Sequence, residues 1–156
     1  MRPYDLEYLQ RAIALSAQAR ERGNGPFGAL LVDAAGNLLL EAENTVMSAQ
    51  DCTGHAETNL IRKASALYPR EVLAGCTLYT STEPCAMCAG AIFWSGISRV
   101  VYAMPECWMG EMATNMAPGD FLNLPCREVF ARGGRDIEVH GPLLEEEARK
   151  AHIGFW

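Results

Sequence analysis

From residue 55 onward, helix-like and strand-like segments alternate along the chain, and this alternation limits the fold more than any other feature. Pro69 ends the first of these segments, and Pro84 is well placed to open a later helix. The segments are a helix at 55–67, strands at 76–82, 98–103 and 137–141, a helix after Pro84 and another after Pro142. Such alternation predicts an α/β fold, in which helices cover a layered sheet.

The N-terminal third adds a helix and a pair of strands to this pattern. Apolar residues recur at helical spacing over residues 4–22, so a helix is predicted there, ending at the glycine-rich loop that follows. Two strands are predicted at 28–34 and 37–44, joined by a short turn, with a polar loop at 45–54. The length of 156 residues favours one domain over 1–156.

Composition limits the kinds of partner that the protein is expected to bind and the cellular compartment in which it is expected. The net charge is −6 and the chain contains only two lysines, which makes a nucleic-acid partner unlikely. No apolar run approaches the ~20 residues that cross a bilayer, and the N-terminus lacks a signal peptide. We therefore expect a cytoplasmic protein without a membrane partner and without a disulfide framework.

Among six cysteines, only Cys85 and Cys88 have a chelating or redox spacing. A structural zinc ribbon needs a second such pair, which this sequence does not contain. A thioredoxin-like dithiol also lies where a strand meets a helix, and a pair without function on a helix is the remaining interpretation. The other four cysteines are expected to be small buried apolar residues.

His55 and Glu57 favour a different interpretation of the cysteine pair. His55 and Cys85 each open a predicted helix, so two helix N-termini on one face of the sheet would meet at one point. One imidazole and two thiolates leave a tetrahedral zinc with one open position, which is typical of a catalytic zinc. His-x-Glu followed by Pro-Cys-x-x-Cys is the signature of zinc-dependent nucleobase deaminases.

The sequence resembles the cytidine deaminase superfamily, and within it the branch of guanine deaminase and tRNA adenosine deaminase. The resemblance covers roughly residues 5–104 and rests on GPFGALLV, DCTGHAE and TLYTSTEPCAMCAGAIFWSGISRVVYA. It implies a three-layer α/β/α sandwich with a five-stranded mixed sheet. It also implies a homodimer that acts on a small-molecule nucleobase.

The resemblance assigns roles to four residues of the metal motif. His55, Cys85 and Cys88 look like the zinc ligands, with one zinc ion per subunit, and Glu57 looks like the catalytic proton shuttle. Asn44 matches an asparagine that hydrogen-bonds the substrate base in this branch. The structural alternative for Asn44 is a cap at the end of a strand.

Three aromatic residues have positions like those of guanine deaminases. Phe27 and Trp94 lie where those enzymes place aromatic residues against the substrate ring, although ordinary core packing is the alternative for both. Trp156 resembles a C-terminal aromatic residue that closes an active site, often that of the neighbouring subunit. Its alternative is simple packing.

Some positions depart from the family pattern. Cys52 and Gly54 replace the usual proline and alanine before the histidine. Gly54 is expected to permit a different backbone approach, and Cys52 is expected near the metal. Guanine deaminases read the base's amino group with an acidic residue after the fourth strand. An ungapped comparison places Asn115 or Met116 there, and the nearby acidic residues are Glu106, Glu111 and Asp120.

The segment 104–123 fits neither helical nor strand periodicity. A loop of this length in a compact domain is often functional, whereas its methionines would also suit a core. Both interpretations remain open from the sequence.

The expected reaction is zinc-dependent hydrolytic deamination of an amino-heterocycle, with conversion of guanine to xanthine and ammonia as the first candidate. The alternatives are tRNA adenosine-to-inosine deamination and deamination of cytosine, isocytosine or a nucleoside. A redox or metal-storage module ranks last, because it leaves Glu57 without a role.

Overall fold

Five strands form one mixed sheet in the computed structural model, which describes residues 1–156. The strands are β1 (Gly28–Val32), β2 (Leu38–Glu43), β3 (Thr77–Thr82), β4 (Arg99–Met104) and β5 (Glu138–His140). Their order in the sheet is β2-β1-β3-β4-β5. β1 is antiparallel to both β2 and β3, whereas β3, β4 and β5 are mutually parallel. The predicted mixed five-stranded sheet is confirmed.

Helices cover both faces of the sheet and complete the predicted α/β/α sandwich. They are α1 (Asp5–Glu21), α2 (Val46–Ala49), α3 (Ala56–Leu67), α4 (Arg70–Leu73), α5 (Ala86–Ser95), α6 (Cys107–Met112), α7 (Cys126–Ala131) and α8 (Glu145–Lys150). One core cluster joins the sheet to α3, α5 and α7, and a second joins it to α1, α6 and α8. No helix combines the length and apolar character needed to span a membrane.

Outside the segment 104–123, the structure corrects the sequence-based assignment in three short segments. α2 lies within the predicted polar loop 45–54, and α4 and α7 lie in segments without a predicted element. α2 and α4 have only four residues each, about one helical turn, which is too short to produce a periodic pattern.

The segment 104–123 is neither wholly loop nor wholly core. It contains α6, where Met109 is buried in the second core cluster and Met112 packs against that cluster. Residues 114–120 are exposed. The methionine interpretation is therefore correct for α6, whereas residues 114–120 form surface.

The prediction that the four remaining cysteines are buried is half wrong. Cys76 and Cys126 are buried, but Cys52 and Cys107 are exposed. Cys52 lies in a turn between α2 and α3. Cys107 is the first residue of α6, and the buried residue of that helix is Met109. Neither site offers a core to a small apolar side chain.

A buried ion pair fastens α1 to the sheet. Arg99 Nη1 and Nη2 donate to the two carboxylate oxygens of Asp5 at 2.8 and 2.7 Å, and Tyr79 Oη donates to the same carboxylate at 2.6 Å. Burial opposes ionisation of Asp5, but the hydrogen bonds from Arg99 and Tyr79 outweigh it and hold the pKa of Asp5 well below its usual range. The pair therefore joins α1, β3 and β4.

Candidate metal centre and substrate site

The starts of α3 and α5 lie side by side on one face of the sheet. His55 immediately precedes α3 and Cys85 immediately precedes α5, and both have extended backbone conformations. Leu60 and Ala64 of α3 share a core cluster with Ala89 and Ile92 of α5. This packing brings two helix N-termini to one place, where their partial positive charge stabilises anions.

His55, Cys85 and Cys88 form a compact group of metal ligands. His55 Nδ1 lies 3.5 Å from Cys85 Sγ and 3.5 Å from Cys88 Sγ, and all three donor atoms lie within 4.8 Å of one another. Typical zinc bond lengths put the sulfur and nitrogen ligands of a tetrahedral site about 3.6 Å apart. The donor set therefore fits zinc in both chemistry and spacing.

The pKa values of the two thiols in this group are shifted in opposite directions. The hydrogen bond from the Cys88 thiol, with that from His55, outweighs burial and lowers the pKa of Cys85 to about 4. The hydrogen bond with Cys85, together with burial, raises the pKa of Cys88 well above its ordinary value. The pair therefore holds one thiolate at neutral pH, and a bound cation would displace the remaining proton.

Glu57 lies in the first turn of α3 with its carboxyl group beside the ligands. Cys88 Sγ lies 3.4 Å from Glu57 Oε2, and Thr80 Oγ1 of β3 donates to Glu57 Oε1 at 2.6 Å. Burial raises the pKa of the Glu57 carboxyl, against the opposing effect of the Thr80 hydrogen bond. A buried carboxyl group with a raised pKa suits proton transfer.

Asn44 is buried at the end of β2, next to the loop that leads to His55. Its Oδ1 accepts a hydrogen bond from the Val46 N–H at 3.0 Å, and its main-chain N–H donates to the Phe27 carbonyl at 3.1 Å. The capping interpretation therefore applies to Oδ1. No hydrogen bond within the chain uses Nδ2 of Asn44, so that donor is available to a ligand.

Asn59 of α3 joins the strand that carries Asn44 to the loop that carries His55. Its Nδ2 contacts the Glu43 carbonyl, Thr45 Oγ1 and the Gly54 carbonyl, at 2.9, 2.9 and 3.3 Å respectively. Gly54 lies so close to this junction that a Cβ atom there would come within 2.9 Å of Thr45 Oγ1. Glycine in place of alanine at position 54 therefore lets the backbone come close to Thr45.

Phe27, His152 and Trp156 form an aromatic cluster within the single chain. The Phe27 and His152 rings are 5.3 Å apart edge to face, and Trp156 stacks on His152. Trp156 Nε1 donates to His152 Nδ1 at 3.1 Å. Burial, helped by the charge of Arg20, lowers the pKa of His152 to about 4, so its ring is neutral and can accept this bond. The C-terminus therefore reaches the Phe27 of its own chain.

The structure does not bring Trp94 or Cys52 into this group. Trp94 lies in the last turn of α5, at the opposite end of the helix from Cys85, and 78% of its surface is exposed. Cys52 is exposed and does not belong to the ligand group formed by His55, Cys85 and Cys88. A role for Trp94 against a substrate would require a neighbouring subunit.

Among the acidic residues after β4, only Glu106 is buried, with 7% of its surface exposed. Glu111 and Asp120 are exposed, as are Asn115 and Met116 at the ungapped position. Burial and the negative charges of Cys85, Glu83 and Glu57 raise the pKa of Glu106 to about 8. The main-chain N–H of Glu106 donates to the carboxylate of Glu83, two residues before Cys85, at 3.2 Å, so Glu106 lies beside the metal-binding loop.

Sequence reasoning missed three side chains that hold this site in place: Thr80, Asn59 and Glu83. Thr80 and Asn59 act through contacts between different helices, strands and loops. Neither residue belongs to a spaced motif from which its role could be predicted. Glu83 carries a weak signal, because it directly precedes the Pro84–Cys85 pair.

Comparison with known proteins identifies the family. Residues 3–104 match the cytidine and deoxycytidylate deaminase zinc-binding region. The chain belongs to this deaminase family. Its members are hydrolytic deaminases, and zinc binding is typical of them, in agreement with the His/Cys/Cys group.

Relatives of this deaminase act on different substrates. A probable cytosine deaminase of Schizosaccharomyces pombe is 42% identical over 97% of this chain and 92% of its own length. A tRNA-specific adenosine deaminase of Haemophilus influenzae is 35% identical over 98% of this chain and 83% of its own length. The structure of guanine deaminase from Nitrosomonas europaea matches with a TM-score of 0.75 at 25% identity, covering 93% of this chain and 80% of that one. Family membership therefore leaves the substrate open.

Proposed function

We propose that this deaminase hydrolyses a free nucleobase or a related amino-heterocycle, with guanine, converted to xanthine and ammonia, as its first candidate substrate. The observation that carries the proposal is the buried Glu57 carboxyl group beside the His55, Cys85 and Cys88 ligands. A storage or redox site would not need a carboxyl group there.

His55, Cys85 and Cys88 would hold one zinc ion per subunit. When bound, zinc supplies a Lewis acid that lowers the pKa of a water molecule to about 7. Three protein ligands leave one coordination position for that chemistry. The two helix N-termini stabilise the negative charge that gathers at the site.

Glu57 moves the protons of the reaction. It accepts a proton from the attacking water and delivers it to a ring nitrogen of the substrate, which makes the amino-bearing carbon electrophilic. After the water oxygen has bonded to that carbon, Glu57 takes the remaining proton of the new hydroxyl group and passes it to the amino group. The C–N bond then breaks, ammonia leaves, and the carbon–oxygen bond becomes a carbonyl. Thr80 fixes the Glu57 carboxylate during both transfers.

Asn44, Phe27 and Trp156 would hold the ring. Asn44 Nδ2 offers a free donor, while the aromatic pair lies 6.3 Å apart between ring centroids and provides an apolar surface that excludes water. The cluster includes Trp156 of the same chain, so closure of the site does not require a swapped C-terminus.

Cytosine is the second candidate substrate, and a specific observation favours it. The probable cytosine deaminase of S. pombe matches this chain over nearly its full length, including residues beyond the family region. Transfer RNA is disfavoured by the net charge of −6.

An ammonia-release screen of zinc-loaded protein would test these assignments. The screen contains guanine, guanosine, adenine, cytosine, isocytosine and a tRNA anticodon stem, and a gel shift with tRNA accompanies it. We expect release from a free base and no shift. Thiol exchange without ammonia release from any substrate would overturn the proposal.

The Glu57→Ala variant tests the assigned mechanism. It should keep its zinc and lose activity by several orders of magnitude, since it removes the proton carrier and leaves the ligands intact. Elemental analysis and the ammonia assay measure the two effects. Glu71→Ala, at an exposed position of α4, is the control and should behave like the wild type. An active Glu57→Ala enzyme would refute the role.

A further inference from the structure

A second cavity lies along β2, the strand at one edge of the sheet, and contains none of the metal ligands. This β2 cleft has a volume of about 780 Å³, and α1, α2 and α3 also contribute to its walls. Only two of its twelve lining residues, Leu15 and Ala42, are hydrophobic, and none is aromatic. The cleft therefore suits a polar ligand and offers no ring on which a base could stack.

Both carboxylates that line the β2 cleft already have cationic partners. Arg11 Nε donates to Glu41 Oε1 at 2.5 Å, and Arg22 Nη1 donates to Glu43 Oε1. These pairs neutralise the acidic side chains of β2, so the remaining charge of the cleft is set by its other cations.

Two of those cations, Arg62 and Lys63, form no ion pair within the chain. They follow Asn59 by three and four residues, so both lie on its side of α3. Asp51 accepts hydrogen bonds from Thr53 and does not pair with Arg62. The cleft of this acidic protein therefore contains two uncompensated positive charges.

The floor of the β2 cleft retains unused hydrogen-bonding groups. The side-chain amide of Gln18 makes no hydrogen bond within the chain. Thr45 Oγ1 accepts from Asn59 Nδ2 at 2.9 Å, and its own hydroxyl hydrogen has no acceptor. These groups can both donate to and accept from the hydroxyl groups of a ligand.

We propose that the β2 cleft binds a phosphorylated sugar, with the phosphate on Arg62 and Lys63 and the hydroxyl groups on the polar floor. A phosphate monoester carries about −1.5 to −2 charges at pH 7, which matches two unpaired cations. A carboxylate or a phosphodiester carries only one. Arginine also binds phosphate through two parallel N–H groups. Inorganic phosphate alone would leave most of the cleft to water.

The β2 cleft is close to the metal-binding loop without being part of it. Arg62 Nη1 donates to Asn59 Oδ1 at 3.1 Å, and Asn59 Nδ2 contacts the carbonyl of Gly54, the residue before His55. One side chain, that of Asn59, therefore separates the proposed phosphate position from the loop that carries a metal ligand.

The test is titration calorimetry of zinc-loaded protein with ribose 5-phosphate, ribose and inorganic phosphate. Ribose 5-phosphate should bind at least about ten-fold more tightly than either fragment, because only it engages both the cations and the floor. The double variant Arg62→Gln with Lys63→Gln should weaken this binding by about 10- to 100-fold, as expected for lost hydrogen bonds to a charged group.

The control is the double variant Arg132→Gln with Lys150→Gln, which makes the same change in net charge at exposed positions outside the cleft. It should bind ribose 5-phosphate like the wild type. Equal weakening by both double variants, equally tight binding of inorganic phosphate, or no binding of ribose 5-phosphate would each overturn the proposal. Binding is measured without any deamination, so these outcomes are independent of the proposed function.

Discussion

Thr80 shows how a single hydroxyl group can control a catalytic side chain. Thr80 lies in β3, in the middle layer of the fold, and its Oγ1 donates to Glu57 Oε1 at 2.6 Å. Glu57 itself lies on the helix α3. Glu57 is almost completely buried, so few other groups can orient its carboxyl group. The Thr80 hydroxyl therefore decides which way the proton carrier points.

Thr80→Val should lower kcat by about 10- to 100-fold and leave the zinc content unchanged, because it removes a hydrogen bond to a charged group without changing the side-chain volume. Ammonia-release kinetics and elemental analysis measure these effects. Thr82→Val is the matched control, since Thr82 Oγ1 lies two residues along the same strand, buried and without a partner. Equal activity of the two variants would show that Glu57 does not depend on Thr80.

Local rules explain why part of the site is predictable. His55, Glu57, Cys85 and Cys88 are set by spacing along the chain and by the positions where two helices begin. Thr80 and Glu83 act through contacts between elements that no spacing records. Glu106 illustrates the limit, because the sequence offers three acidic residues after β4 and only burial distinguishes one of them.

The attachment of α1 to the sheet depends on the buried pair of Asp5 and Arg99. Removing one partner of a buried ion pair typically destabilises a protein by about 3–5 kcal/mol, because the other charge is left uncompensated. Asp5→Asn should therefore lower the free energy of unfolding by about this amount at pH 7, measured by urea denaturation. Glu41→Gln, in the exposed pair with Arg11, should change it by less than about 1 kcal/mol.

The same pair predicts how stability varies with pH. The pKa of Asp5 in the folded state lies well below its ordinary value of 3.8. Its stabilisation is therefore complete above that ordinary value and is lost as the pH falls below it. The difference between wild type and Asp5→Asn should shrink on acidification. A constant difference down to pH 2 would contradict the assigned role.

The C-terminal segment is a second element whose docking can be tested. Arg20 Nη1 donates to the carbonyls of Ala151 and Ile153 at 2.9 and 2.6 Å, and Trp156 packs beside Phe27. Deleting Phe155 and Trp156 should reduce turnover far more than zinc content, because the ligands lie elsewhere. Ile153→Ala, at an exposed position, serves as the control. Loss of turnover and zinc together would instead indicate misfolding.

Long elements with a clear period were predictable, and single turns were not. The main strands and α1, α3 and α5 agree with the prediction to within two residues at each end. α6 escaped prediction because only Met109 of its six residues is buried, which leaves no repeating pattern. Periodicity needs several turns of chain, whereas a short helix is stabilised by its tertiary contacts.

The assembly of the whole molecule can be tested at the exposed face of α5. Met87 and Trp94 lie two turns apart on this face, exposed, with Gly90 and Ala91 between them. An exposed apolar stripe of this kind often marks a protein interface. We expect a homodimer that buries this face, and Trp94→Glu should shift it to monomer in analytical ultracentrifugation. Leu6→Glu, on α1, should not. A monomeric wild-type protein would contradict the expectation.

The two main-chain bonds accepted by Glu83 have a wider consequence. They hold the chain at Glu106 and again at Cys126. Between these points α6 and Phe121 pack against the second core cluster, whereas residues 114–120 are exposed. The exposed stretch 114–120 can therefore change in length or sequence while the metal-binding loop stays undisturbed. Variation in this stretch is thereby separated from the residues of the metal motif.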